Sequence, residues 1–339
     1  MKAVALTRYL PISDPASLLD VDLPTPEPGP RDLLVKIEAV AVNPVDTKVR
    51  APKDKVENTP RVLGWDAVGT VVETGSEASL FKVGDAVYYA GDITRQGSNS
   101  EYQVVDERIV GRKPATLSAA EAAALPLTAI TAWESLFDRL KVETPPNIKT
   151  PKTILIIGGA GGVGSIAIQL AAKVAGLHVI ASASRPESAA WCRELGAHNI
   201  VDHRGDLITQ VQRLGYKFVD YVLILNNTDQ HLPAAVELVA PQGAICSIVE
   251  NANLLDIAPL KNKSARFCWE MMFTRAMYQT GDMIEQHYLL NEVARLVDQG
   301  ILRTTLTETL SPINAANLRQ AHAVLESGNT IGKMVLEGF

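Results

Sequence analysis

Residues 153–174, TILIIGGAGGVGSIAIQLAAKV, constrain the fold more than any other stretch of this chain. An apolar, β-branched run from Ile154 to Ile157 ends in a glycine cluster and passes straight into a small-residue, Ala-rich segment. Strand, tight turn and helix in that order form the cradle that a dinucleotide pyrophosphate needs. Gly159, Gly161 and Gly164 fit G-x-G-x-x-G. In that pattern Gly159 permits the tight turn and Gly161 lets backbone approach phosphate with no Cβ between. Gly164 lets the helix lie close to the strand. Gly162 and Val163 then open the helix, whose N-terminus offers unpaired N–H groups and a positive dipole end to an anion. An ordinary buried strand–turn–helix has the same outline, so context decides. Five glycines and the switch from β-branched to Ala-rich composition argue against a membrane span. A P-loop is excluded, because Ser165 follows Gly164 where a phosphate-binding Lys is required.

With 339 residues the chain has room for two domains, each with its own core. A net charge of −6 and a pI near 5.6 give no basic field for nucleic acid. The first residues, MKAVALTRYLPISDP, lack a sustained apolar run, so neither a signal peptide nor a membrane anchor is expected and the location is read as cytoplasmic. Cys192, Cys246 and Cys268 are odd in number and far apart in sequence. That suits a reducing compartment better than a disulfide scaffold.

Residues 1–120 read as mostly β, with short runs at Met1–Thr7, Leu33–Val42, Val68–Glu73, Ala86–Tyr89 and Tyr102–Val105 between turn-rich segments. No α/β alternation runs through them, so a compact, partly open barrel is expected. Ser118 and Glu121 open a helix in capping-box style, and Glu143–Pro151 reads as a polar, Pro-rich linker. From Thr153 the rhythm becomes strand, helix, strand, helix. Strands are expected at Thr153–Ile157, His178–Ser182, Asn199–Val201, Phe218–Leu225, Ala244–Val249 and Arg266–Trp269. That alternation predicts a parallel sheet with helices on both faces. Helices over Asp282–Asp298 and Ile313–Glu326 and a last strand, Lys333–Leu336, follow.

Sites that prefer NAD hold the ribose 2′-OH with an acidic residue about twenty positions past the glycines. Here the second strand ends Val179-Ile-Ala-Ser-Ala-Ser-Arg185, with no acid at its tip. Ser182, Ser184 and Arg185 supply hydroxyls and a guanidinium suited to a 2′-phosphate, which points to NADPH.

Val42-Asn-Pro-Val-Asp46, Gly64-Trp-Asp-Ala-Val-Gly69, Gly84-Asp85, Ser100-Glu-Tyr102, Pro126-Leu-Thr128, the 158–164 turn, Ala183-Ser-Arg-Pro186 and Gly332-Lys333 extend over the full length. In this combination the sequence resembles the medium-chain dehydrogenase/reductase superfamily. Within it, the chain is most similar to the quinone-oxidoreductase branch and its zinc-type alcohol dehydrogenase-like proteins. The resemblance implies an α/β fold, with a Rossmann doubly wound parallel sheet over 128–274. A GroES-like, β-barrel-type catalytic domain over 1–127 would be completed by 275–339, with the active-site cleft between the two. Zinc-dependent members carry Cys at the position matching Asn43 and His at that matching Trp65, a third ligand near Thr128, and a separate lobe with four Cys. This chain has no His before His178 and no Cys before Cys192, leaving Asp46 and Asp66 as the plausible ligands in the cleft segments. Zinc needs three or four converging thiolate, imidazole or carboxylate ligands, so none is expected.

Without a metal to polarise an alcohol, reduction of an electron-poor carbon is favoured: a quinone, or an α,β-unsaturated ketone at its β-carbon. By resemblance Asn43, Asp46 and Lys48 line the cleft beside the nicotinamide, with Lys48 standing where many relatives carry Tyr. Asn43 or Lys48 could donate to a carbonyl oxygen while Asp46 holds either in place, or Asp46 could simply brace its loop. Trp65 is either a flat wall or plain core. Thr128 is either a cofactor contact or a hydroxyl satisfied by its own helix. The resemblance extends the cofactor site to Asn226, Val249 and Lys333. No tyrosine has a Lys four positions on and no G-x-S-x-G occurs, so short-chain dehydrogenase and hydrolase chemistries are not supported. The apolar segment Phe267–Thr280 suggests a homodimer, with a tetramer as an extension of it. Three functions stay open at this point: a zinc-free NADPH-dependent reductase of quinones or enones, an alcohol dehydrogenase of the zinc type, and a dinucleotide-binding redox sensor with little turnover.

Overall fold

The computed structural model describes residues 1–145 and 151–339; the centre of the expected Glu143–Pro151 linker lies outside them. The chain divides into two compact units, Met1–Ile130 with Phe273–Phe339, and Thr131–Met272.

The first unit begins with β1 (Lys2–Tyr9), β2 (Leu19–Asp22), β3 (Asp32–Ala41), β4 (Lys53–Val62), β5 (Ala67–Thr74), β6 (Ala86–Tyr89), β7 (Tyr102–Asp106) and β8 (Val110–Arg112). Strand β3 is its spine, antiparallel to both β5 and β7. Along it Val35, Ile37 and Ala39 are buried while Lys36 and Glu38 face out, the period-2 alternation of a half-covered sheet. Helix α1 (Pro44–Arg50) follows at once, because Asn43 is extended and Pro44 supplies the fixed φ of a first helical residue. The expected capping box opens α2 (Ala119–Ala123): Ser118 N–H donates to Glu121 Oε2 at 2.9 Å and Glu121 N–H to Ser118 Oγ at 3.2 Å. Helix α3 (Pro126–Trp133) then widens into a π-type segment, Glu134–Arg139. Strand β4 is not legible as a strand in the sequence, since KDKVENTPRV is charged and contains Pro60. Its pairing with β1 at the edge of a three-stranded sheet makes it one, and an edge tolerates proline.

The second unit is a six-stranded parallel sheet of β9 (Thr153–Ile157), β10 (His178–Ser182), β11 (Asn199–Val201), β12 (Val219–Ile224), β13 (Val239–Ser247) and β14 (Arg266–Trp269), in the order β11-β10-β9-β12-β13-β14. Helices α4 (Gly162–Gln169), α5 (Pro186–Leu195), α6 (Leu207–Arg213) and α7 (Thr228–Leu238) connect the first five strands. Every residue of β9 is buried, which is why it reads as an unbroken apolar run. The order reverses at β9, so the turn after it stands where open α/β sheets bind ligands.

The chain returns to the first unit through α8 (Thr274–Tyr278), α9 (Glu285–Asp298), β15 (Leu306–Leu310), α10 (Ala315–Glu326) and β16 (Lys333–Glu337). Strand β16 is antiparallel to β3, with Val335 opposite Ala41. That register carries Lys333 to the residues just after β3. Among the described residues no helix is long and apolar enough to cross a membrane.

Candidate active site and dinucleotide turn

In the first unit, Asn43, Asp46, Trp65, Asp66 and Lys333 form a buried polar cluster, none more than 4% exposed. The Lys333 ammonium donates to Val42 O at 2.8 Å, to Asn43 Oδ1, and to Asp66 Oδ2 at 3.0 Å. Those are the three protons an ammonium has. The carboxamide of Asn43 is thereby oriented, its Nδ2 donating to Asp66 Oδ2 at 2.8 Å and Trp65 O at 3.4 Å. Asp66 is completed by Leu127 N–H, 2.7 Å from its Oδ1 at the start of α3. Burial raises the Asp66 carboxyl, against the pull of Lys333, the Asn43 amide and Leu127 N–H.

This geometry corrects several sequence expectations. Lys333 has no proton left for a cofactor, and both ends of the Asn43 amide are committed inside the protein, so neither is a free donor. Trp65 is core: fully buried, its ring edge-to-face with Phe273 at 6.1 Å and its Nε1–H donating to Asp92 O at 3.3 Å. Thr128 Oγ1 donates back to Leu125 O, just ahead of its own helix, at 3.0 Å. Of the five expected catalytic residues only Lys48, on α1, is exposed.

Asp46 caps α1 by accepting Asn43 N–H at 2.5 Å. Burial pushes its carboxyl from 3.8 up to about 7, only partly offset by the Asn43 N–H and Lys333. The folded protein therefore holds a proton that the unfolded chain releases near pH 4. This group's contribution to stability is full below that pH and is lost as pH rises through about 7, an effect on the order of 4 kcal/mol. Asp46→Asn should remove that slope. Urea midpoints at pH 5 and pH 8 should differ less in the variant than in the wild type, and equal differences would refute the assignment.

In the second unit the glycines divide their work differently from expectation. The residue needing positive φ is Gly158 (+91°), not Gly159. A Cβ on Gly159 would stand 3.0 Å from Ala181 Cβ and 3.1 Å from Cys192 Sγ, so Gly159 serves close packing on β10 and α5. A Cβ on Gly164 would lie 2.4 Å from Gly158 O, which fixes the close approach of helix to turn. At Gly161 a Cβ would meet nothing nearer than Gly158 O at 3.7 Å. Packing within the chain does not require that glycine. Gly162 and Val163 follow in the first turn of α4. Asn226 is exposed beside the turn after β12, and Val249 is half-buried after β13, its carbonyl accepting from Thr228 Oγ1.

At the tip of β10, Ser182 is buried and its Oγ accepts Gly158 N–H at 2.9 Å while contacting His203 Nδ1 at 3.1 Å. It braces the turn, its hydroxyl already engaged within the protein. Ser184 and Arg185 are half-buried at the start of α5. The parallel register, Ser182 opposite Val201, brings the end of β11 to this tip: His203 meets Ser182, and Arg204 donates to Ser184 O while pairing with Asp202 at 2.8 Å. Sequence reasoning missed both. The available signal was that the third strand of such a sheet ends next to the second.

A zinc-binding dehydrogenase model matches residues 195–336, and an alcohol dehydrogenase GroES-like domain model matches residues 29–126. A zinc-type alcohol dehydrogenase-like protein of Staphylococcus aureus is 45% identical over 313 residues, 92% of each chain. This chain is a medium-chain dehydrogenase/reductase. A crystal structure from Rhizobium etli CFN 42, described as a zinc-dependent alcohol dehydrogenase protein, is 52% identical to this dehydrogenase/reductase. It superposes with a TM-score of 0.95, covering 100% of this chain and 98% of that one. The 2-methylene-furan-3-one reductase of Solanum lycopersicum is 39% identical over 213 residues, 60% of this chain and 52% of its own.

The zinc in the family's name does not fit the residues of this dehydrogenase/reductase. Among the described residues no three His, Cys, Asp or Glu side chains gather. Of the expected ligand positions, Asn43 offers an amide and Trp65 an indole, and the adjacent carboxylate, Asp66, is already neutralised by Lys333. A divalent cation would have to displace an ammonium tethered to the same chain.

Proposed function

We propose that this oxidoreductase transfers hydride from NADPH to quinones or α,β-unsaturated carbonyl compounds without zinc. The observation that carries the proposal is the Lys333 ammonium in the Asn43–Asp66 cluster, which takes up the donors a metal would require. An acceptor that is already electron-poor needs no Lewis acid, only orientation and a donor for the developing enolate or phenolate oxygen. Lys48, exposed on α1, is that donor, and the cluster beneath fixes the start of its helix. NADPH, when bound, supplies the hydride. The glycine turn and the N-terminus of α4 hold its pyrophosphate, while Arg185, with Arg204 and His203 alongside, meets the 2′-phosphate. The name of the tomato relative, a furanone reductase, supports the enone class. Steady-state NADPH oxidation with a panel of quinones and enones should give turnover of roughly 1–1000 per second. Binding without turnover across the panel would favour the redox-sensor reading instead.

Arg185→Ala should weaken NADPH by about ten- to hundredfold, the loss of charge-assisted hydrogen bonds of roughly 1.5–3 kcal/mol. NADH, which lacks the 2′-phosphate, should bind as before. Fluorescence titration with both dinucleotides decides it, and equal weakening of the two would defeat the NADPH assignment.

A further inference from the structure

Cys246 and Cys268 are separated by the loop between β13 and β14, yet the parallel register makes them direct partners. Neighbouring strands lie roughly 4.8 Å apart, inside the Cα separation of about 4.4–6.8 Å that a disulfide accepts. Directly paired residues of parallel strands project to the same face. Here that face carries Ser135 and Arg139 of the π-type segment, which bear on Cys246 and Cys268 respectively. Both thiols are reduced, Cys246 fully buried and Cys268 half-buried, its S–H 3.2 Å from Ile245 O.

We propose that Cys268 and Cys246 are a peroxide-sensitive dithiol site, Cys268 the attacking sulfur and Cys246 the resolving one. The Cys268 sulfur attacks one oxygen of hydrogen peroxide, the O–O bond breaks, and the departing hydroxide takes the Cys268 proton as water, giving a sulfenic acid. The Cys246 sulfur then attacks that sulfur: the S–S bond forms, the S–O bond breaks, and the departing hydroxide takes the Cys246 proton as water. Two thiols and one peroxide yield one disulfide and two waters, with sulfur oxidised and peroxide oxygen reduced. The division of labour follows from the surroundings. The Cys246 thiol, together with Arg266 and Arg139, holds Cys268 below its ordinary range against the effect of burial. Cys246, hydrogen-bonded to Cys268 and desolvated, is raised. Cys192, fully buried and pushed up to about 12, is the internal control.

The test treats the reduced, full-length protein with hydrogen peroxide, alkylates it under denaturing conditions and measures its mass. The expected product carries one alkyl group, at Cys192, contains a Cys246–Cys268 linked peptide, and regains three alkylatable thiols with dithiothreitol. Cys246→Ser should stop at a Cys268 sulfenic acid that dimedone captures, and Cys268→Ser should form neither product. Three free thiols after oxidation, or a linkage that includes Cys192, would overturn the proposal from the wild-type protein alone.

Discussion

Lys333→Ala should lower the unfolding free energy by about 3–5 kcal/mol, the cost of leaving a buried partner charge uncompensated. Asp66 is fully buried, and without the ammonium it keeps only the Asn43 amide and Leu127 N–H as partners. Asn43 Oδ1 and Val42 O lose their donor as well. Pairing the change with Asp66→Asn removes the stranded charge, so the double variant should lose less than the two single losses added together. Urea denaturation of the four proteins gives the cycle. A single-variant loss below about 1 kcal/mol, the range of exposed ion pairs, would show that the cluster does not hold the first unit together. The same measurement bears on function, because the cluster anchors the start of α1 and hence Lys48.

Gly161→Val should weaken both NADPH and NADH by on the order of 100-fold or more, about 2.8 kcal/mol, with the fold retained. Beyond its chain neighbours the nearest atom to a Cβ there is 3.7 Å away, so the added side chain would enter the space proposed for the pyrophosphate with little cost to the protein. Gly164→Val should instead damage the protein itself, because its Cβ would be driven to 2.4 Å from Gly158 O and 2.6 Å from Gly159 O. Circular dichroism and thermal unfolding separate the two. Gly161→Val should melt near the wild type, while Gly164→Val should melt well below it. Undiminished dinucleotide binding in a folded Gly161→Val protein would remove the turn from the site.

The second unit is largely legible in the amino-acid sequence. Buried parallel strands are short β-branched runs, the intervening helices carry their own start signals, and β9, β10 and β11 lie where the alternation puts them. The first unit is legible only in part. Its two sheets mix sequence-distant strands, and β4 looks polar because it is an edge strand exposed on both faces over most of its length. Site residues divide along the same line. The glycine turn and the acid-free tip of β10 are local patterns. Whether Asn43, Trp65 or Thr128 faces a ligand or the core depends on burial, which a motif does not encode.

The sequence by itself determined that a dinucleotide turn opens a parallel α/β sheet and that no Cys or His stands in the first 177 residues to bind zinc. Both follow from residue identity and spacing over a few turns of chain. Only the tertiary structure decided that Lys333 meets Asn43 across 290 positions, that His203 meets Ser182 and Arg204 meets Ser184, and that Cys246 pairs with Cys268. Those meetings join residues far apart in the chain, and they are set by strand register together with the packing of whole sheets rather than by the identity of either partner.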